Sequence, residues 1–368
     1  MRGARAAALA DDTTGALEIG AHFAAARIRS RVLFDLPPGE DTLAAEVIDT
    51  GTRHLPPGEA AVIVGRTVRR LRQNGAGAFF KKTDSTLRGN IASELAAMLE
   101  TFPGQPLVYV PAYPKLGRTV VDGVLLIDGV PVAETPFACD SRHPVRESSI
   151  IEMLRQNSSL TVKHAPAPAV LHEMLAPGSC VVVCDSRTDD DLERIASVLG
   201  SYPGELLVGG PGGFAPYWIR NLALPVAGTW PEPKASTGLV VCGSRHPRSR
   251  EQAARALAAG PWAVIATSED AAGAEQDVAS RLAARVGRRL AEHPVDALII
   301  FGGDTARAVL RELQVTSVEP LGELLPGIPV SSIDTGIDPG GRRTILVTKA
   351  GGFGDVRVVE QIIESLHG

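Results

Sequence analysis

The stretch Ala297-Leu298-Ile299-Ile300-Phe301-Gly302-Gly303-Asp304-Thr305 has a counterpart about fifty residues on, Thr344-Ile345-Leu346-Val347-Thr348-Lys349-Ala350-Gly351-Gly352-Phe353-Gly354-Asp355. In each, an apolar run ends in glycines and a helix-like segment follows. A helix N-terminus carries unpaired N–H donors and a partial positive charge, and glycine lets an anion approach them closely. Two such junctions point to a phosphate site formed by Gly302, Gly303, Asp304, Thr305, Gly351, Gly352 and Gly354, with Lys349 beside it. Asp304 or Thr305 as a plain helix cap is the competing reading.

Working outward, apolar runs alternate with amphipathic stretches along the chain. Strands are expected at 6–10, 31–34, 46–49, 78–81, 107–110, 181–184, 205–208, 239–242, 263–267, 297–301 and 345–348. Helices are expected at 15–26, 57–73, 90–100, 189–199, 248–259, 277–292, 305–313 and 354–366. This alternation predicts an α/β protein with mainly parallel sheets flanked by helices. Val120–Thr135 carries two Asp-Gly pairs between apolar runs and reads as a β-hairpin excursion. The proline-bearing stretch Gly228–Thr237 reads as a linker, so one domain is expected over 1–228 and a second over 238–368.

Composition narrows the function. Of 368 residues, 44% are hydrophobic, which supports a sizeable core, and only 4% are aromatic, which argues against base stacking. The net charge of -5, with no basic block, gives no electrostatic footprint for nucleic acid. No apolar run reaches the ~20 residues of a membrane helix, so a cytoplasmic protein is expected. Cys180 and Cys184 share one apolar run without a zinc-ligand spacing and read as small buried hydrophobes. Neither G-x-x-x-x-G-K-[ST] nor G-x-G-x-x-G occurs, which removes the usual P-loop and weakens a dehydrogenase reading.

Three motifs in the first half carry charge at strand ends. Asp11-Asp12-Thr13-Thr14-Gly15 follows the first strand, where an aspartate can accept a hydroxyl proton, hold a metal or cap the next helix. Lys81-Lys82-Thr83-Asp84-Ser85-Thr86-Leu87-Arg88-Gly89-Asn90 packs cations, a carboxylate and hydroxyls into ten residues, and arginine suits a bidentate grip on a carboxylate. Pro111–Thr119 adds Lys115 and Arg118 for an acidic ligand. In the second half, Cys242-Gly243-Ser244-Arg245 offers backbone donors at a strand end.

In order, A-D-D-T-T-G-A, K-K-T-D-S-T-L-R-G-N, P-A-Y-P-K-L-G-R-T, G-V-P-V-A-E-T, C-G-S-R, G-G-D-T and K-A-G-G-F-G resemble the four-carbon acid sugar kinase family. Thr13 stands where the family usually has Phe. The stretch G-S-R-H-P-R-S-R-E-Q differs from the usual G-S-C-S-x-x-T-x-x-Q, although Gln252 keeps its spacing and Ser249 replaces Thr. The resemblance implies ATP-dependent phosphorylation of the terminal hydroxyl of erythronate, threonate or 3-oxo-tetronate. It also implies a sugar-acid domain followed by a nucleotide domain, with the two sites facing across a cleft.

On that reading Asp12 orients or deprotonates the hydroxyl, with Asp84 as the alternative. Arg88, with Lys82 or Arg118, grips the substrate carboxylate beside Asp11 and Ser85. Gly243, Ser244 and the two glycine junctions hold ATP, and Asp304 or Asp355 lies near Mg²⁺. The implied partners are the sugar acid and ATP, without nucleic acid or membrane; a homodimer is compatible. The competing class is a non-catalytic sensor binding a phosphorylated sugar acid or a nucleotide.

Overall fold

In the computed structural model the apolar runs become strands whose carboxyl ends fall in register. The structure describes residues 5–34, 43–140, 142–175, 178–202, 207–244, 246–258, 262–267, 275–336 and 343–367. Contacts divide the chain into two compact units, 1–19 with 35–226 and 20–34 with 227–368. The break near 226 lies close to the expected linker, and the second unit also takes the segment 20–34.

The strands are β1 (Ala6–Ala10), β2 (Ser30–Leu33), β3 (Ala45–Asp49), β4 (Ala78–Lys82), β5 (Leu107–Tyr109), β6 (Arg118–Val121), β7 (Val124–Ile127), β8 (Val130–Pro131) and β9 (Val162–Ala165). They continue as β10 (Val181–Cys184), β11 (Leu207–Gly210), β12 (Gly238–Cys242), β13 (Ala263–Ala266), β14 (Ala297–Phe301), β15 (Ser317–Leu325), β16 (Ile328–Ile333) and β17 (Thr344–Lys349). The helices that matter for the site are α1 (Thr13–Ala25), α2 (Pro57–Gln73), α3 (Ile91–Glu100), α4 (Pro247–Ala258), α5 (Glu275–Glu292), α6 (Gly303–Glu312) and α7 (Val358–His367).

In the first unit the strand order is β3-β1-β4-β11-β5-β10-β9, and every pair is parallel. Strands β1, β4 and β10 are buried along their whole length, as strands covered on both faces must be. Ala10 lies opposite both Asp49 and Lys82. The segments that follow these strands therefore leave the sheet at one edge. The hairpin excursion is present as a small antiparallel sheet, β6-β7-β8.

In the second unit β13-β12-β14-β17 are parallel, and β16, β15 and β2 extend them antiparallel. Cys242 lies opposite Phe301, and Phe301 opposite Lys349, so three loops leave this sheet together. Strands β15 and β16 were absent from the sequence reading. Pro320 and Gly322 interrupt the apolar alternation, and the pairing slips at Pro320/Gly322 and Glu323/Leu325. The last helix was expected from Gly354 but begins at Val358. Gly354 has φ 81°, in the left-handed region, and the Asp355 carboxylate accepts from the Arg357 amide, closing a turn there. Residues 205, 206 and 259, expected in a strand and a helix, lie outside the described residues.

The core of the second unit tests this packing. A methyl on Gly238 of β12 would sit 2.0 Å from the ring of Trp262, which is buried. Overpacking of this kind costs roughly 1–3 kcal/mol. Gly238→Ala should lower the unfolding free energy by about that amount in urea titration. An unchanged midpoint would show that the ring is free to move.

Candidate functional site

At the carboxyl edge of the first sheet, Asp11 and Asp12 end β1 and Arg53 lies in the loop after β3. The Arg53 Nε and Nη2 donate to the two Asp11 carboxylate oxygens, both at 2.8 Å, and Nη1 donates to Asp12 Oδ2 at 2.7 Å. Nη1 also lies 3.7 Å from Asp84 Oδ2. The Arg53 amide donates to the Asp11 carbonyl at 3.2 Å, so the residue is tied at both ends. Burial opposes the charge of Asp11, but Arg53, Lys81 and Lys82 together outweigh it and lower the carboxyl below its ordinary value.

Asp84 is held more tightly still. Its Oδ1 accepts from the Thr86 amide at 2.8 Å, the Thr86 hydroxyl at 2.5 Å and Arg88 Nε at 3.2 Å; Oδ2 accepts from Arg88 Nη2 at 2.7 Å. Burial works against this carboxylate, yet Arg53 and Arg88 drive it far below the usual range. Arg88 also donates from Nη1 to Asp140 at 3.2 Å and stacks over Phe137, 5.6 Å from the ring centre. Its fork, expected on a substrate carboxylate, is thus occupied by Asp84 and Asp140.

Asp12 is the accessible carboxylate of the three, with 20% of its side chain exposed against 2% for Asp11 and 7% for Asp84. Its Oδ1 caps α1 by accepting the Gly15 amide at 2.9 Å. The capping reading therefore holds for one oxygen, while the other faces Arg53. Each carboxylate oxygen keeps a second acceptor site.

Three further predicted residues lie on this edge. Lys82 Nζ donates to the Thr83 carbonyl at 3.1 Å and lies 3.4 Å from Glu18. Arg118 Nη1 donates to Ser85 Oγ at 2.5 Å, while the buried Nε meets no acceptor among the described residues. Burial lowers the Arg118 pKa against the pull of Asp84. Beneath them, fully buried Lys81 pairs with Glu94 at 2.9 Å, and Glu94 also accepts from Thr52.

The second unit builds its site from backbone. Helix α6 starts after Gly302, which has φ 94°, and no side chain caps it. Neither Asp304 nor Thr305 acts as the cap, and the first turn of the helix borders a cavity of about 230 Å³. Gly243, Ser244, Thr267, Val278, Gly302 and Asp304 line it. A methyl on Gly243 would stand 1.9 Å from Thr305 Oγ1, so only glycine fits.

The 350–355 loop is held from behind. Lys349 Nζ donates to the carbonyls of Ala350 at 3.0 Å, Gly351, and Phe353 at 3.1 Å. Gln252 Nε2 donates to the carbonyls of Phe353 at 3.2 Å and Asp355 at 2.6 Å, and Ser249 Oγ to that of Gly351 at 2.7 Å. The lysine expected beside the phosphates is thus turned into the loop. Gly351 approaches Ser244, and Gly352 approaches the His246 ring. Arg245 lies outside the described residues.

Mg²⁺ is commonly bound through one or two carboxylates plus phosphate oxygens and water. Among the described residues no cluster of three potential metal ligands occurs. The exposed Asp304 carboxylate at the cavity suits that sparse coordination. Asp355 is exposed too, and its carboxylate accepts from the Arg357 amide at 2.7 Å. No helix among the described residues is long and apolar enough to cross a membrane.

Comparison with known proteins matches residues 6–218 to a sugar-binding N-terminal domain and residues 261–359 to a nucleotide-binding C-terminal domain. The chain is 32% identical to a D-threonate kinase of Bordetella bronchiseptica over 98% of its length and 96% of the relative's. The chain belongs to the four-carbon acid sugar kinase family. It is also 33% identical to a D-erythronate kinase of Heliobacterium modesticaldum, over 66% of this chain and 58% of that one. A solved Bordetella bronchiseptica structure, a domain-swapped dimer with bound citrate, covers 100% of this chain and 99% of its own at 28% identity and a TM-score of 0.53.

Sequence reading missed Arg53, Glu18, Glu94 and Asp140. Arg53 follows a strand at Asp49-Thr50-Gly51-Thr52, a position like those of the motifs that were singled out. Two histidines from distant loops also come together: His54 Nδ1 and His143 Nε2 meet at 2.7 Å with stacked rings.

Lys349 gives a pH signature. Burial lowers its pKa from 10.5 to about 8. Between those values the unfolded chain binds more protons than the folded one, so stability must rise with pH across the window. The cost is fully present below about pH 8 and gone above 10.5. Unfolding free energies of wild type minus Lys349→Met should therefore climb from pH 8 to 10; a flat difference would show that Lys349 is not desolvated.

Proposed function

We propose that this chain is an ATP-dependent kinase that phosphorylates the terminal hydroxyl of a four-carbon sugar acid. The observation that carries the reading is an accessible carboxylate, Asp12, at the edge beside which Arg118 reaches Ser85, with Arg118 Nε a buried N–H that lacks an acceptor among the described residues. A hydroxy acid satisfies both: its carboxylate takes Arg118, assisted by Lys82 and Ser85, and its hydroxyl meets Asp12. Asp84 is too strongly stabilised as an anion to take a proton, so Asp12 is the base. Arg88 holds Asp84 and leaves the substrate to Arg118.

The hydroxyl oxygen attacks the γ-phosphorus of ATP. A new O–P bond forms, the bond to ADP breaks, and the hydroxyl proton passes to Asp12. The uncapped start of α6, with Gly243, Ser244 and the 350–355 loop, holds the phosphates, where catalysis is mostly positioning and charge stabilisation. Asp304 would hold Mg²⁺, which supplies charge neutralisation at the phosphates. A homodimer fits this reading, given the dimeric Bordetella relative.

The test is coupled ADP release with Mg·ATP over D-threonate, D-erythronate and 3-oxo-tetronate. Turnover of at least one acid is expected, and folded protein that releases no ADP with any of them would refute the kinase. Asp12→Asn should lower kcat by roughly 10²–10⁴-fold. Arg118→Ala should raise the sugar-acid KM by roughly 10–100-fold, the loss of a charge-assisted bond, with a smaller change in kcat. The opposite split between the two variants would exchange these roles.

A further inference from the structure

We propose that Arg53 is the positioning residue of this kinase: its guanidinium fixes the rotamer of Asp12 and so aims the base. The inference rests on the reading of Asp12 above. Three N–H groups of one planar fork point to two different carboxylates, Asp11 through Nε and Nη2 and Asp12 through Nη1. A lysine ammonium, a single point charge, cannot span these acceptors together.

The scaffold is built to hold that fork. Thr50 donates to the Ala10 carbonyl from its amide at 2.9 Å and its hydroxyl at 2.8 Å, stitching the β3 loop to the end of β1. Asn90 Nδ2 donates to the carbonyls of Thr52 at 2.9 Å and Leu55 at 2.8 Å, on either side of Arg53. Gly89 lies over the arginine: with φ 87°, its absent Cβ would be 3.2 Å from Arg53 Cγ and 3.3 Å from Asp11 Oδ2. The R-G-N of the second motif thus has a physical meaning. Gly89 makes room for Arg53, and Asn90 anchors its loop.

Arg53 touches neither the attacking hydroxyl nor the phosphorus in this scheme; three of its five N–H groups are spent on Asp11 and Asp12. Its contribution is geometric and electrostatic. With Nη1 removed, the Gly15 amide is the one hydrogen bond left to Asp12 among the described residues, and the carboxylate is free to turn toward Lys82, whose Nζ also borders the Gly15 position.

The test uses Arg53→Lys, which keeps the charge, and Arg53→Ala. For a positioning role Arg53→Lys should stay folded and lose roughly 10²-fold or more in kcat, with both KM values within a few-fold. In Arg53→Ala, guanidinium at tens of millimolar should restore part of kcat, and equal ionic strength of NaCl should not. The crystal structure of Arg53→Lys, read without reference to turnover, should show Asp12 in a new or split rotamer. Wild-type kcat in Arg53→Lys, a loss confined to the sugar-acid KM, or an unmoved Asp12 would each overturn the proposal. If wild type turns over no sugar acid, the function falls, and the Asp12 rotamer still decides whether Arg53 aims that side chain.

Discussion

The first unit depends on a single guanidinium set among carboxylates. Parallel pairing in register brings the ends of β1, β3 and β4 to one edge, so Asp11, Asp12 and Asp84 converge there. Without compensation, like charges this close would be driven toward protonation. Arg53 lies against all three, and the charges of all three raise its own pKa well above the ordinary arginine value, against the cost of burial. Removing one member of such a buried set typically costs 3–5 kcal/mol, because the remaining charges stay behind unpaired. The same contacts sort the carboxylates: Asp11 and Asp84 become fixed anions, and Asp12 keeps acceptor capacity and access to solvent.

The second unit solves a different problem. On the proposed reading a polyphosphate needs donors rather than acceptors, and a helix start with no side-chain cap would supply them. The glycines there are a matter of space: Gly243 leaves room for Thr305, and Gly352 for the His246 ring. Polar side chains work behind the loop, where Lys349, Gln252 and Ser249 draw its carbonyls inward. The departure at G-S-R-H-P-R-S-R-E-Q therefore keeps its supporting residues. Ser249 takes up a loop carbonyl from the position usually held by Thr, and Gln252 does so at its retained spacing.

Local physics made most of this legible. Strand ends followed from apolar runs ending in glycine or aspartate, and β1, β10 and β14 fall where those runs lie. The site motifs were visible because each compresses charge, hydroxyl or glycine into one strand-to-helix junction. What could not be read was pairing at a distance. Arg88 looked like a free fork for a ligand, but Asp140, fifty-two residues away, and Asp84 occupy it. Arg53 stood alone in an unremarked loop and acquires meaning only when β1 and β3 align. Strands β15 and β16 escaped because Pro320 and Gly322 in the first and Pro329 in the second break the period that marks a strand, while tertiary pairing overrides the interruption.

The central claim is that Arg53 acts on the reaction through Asp12. A double-mutant cycle in kcat with Asp12→Asn, Arg53→Lys and the combined variant tests it most directly. If Arg53 only aims the Asp12 carboxylate, its substitution has nothing left to disturb once that carboxylate is gone. The double variant should then be about as slow as Asp12→Asn alone. Losses that multiply in the double variant, as for independent sites, would contradict it.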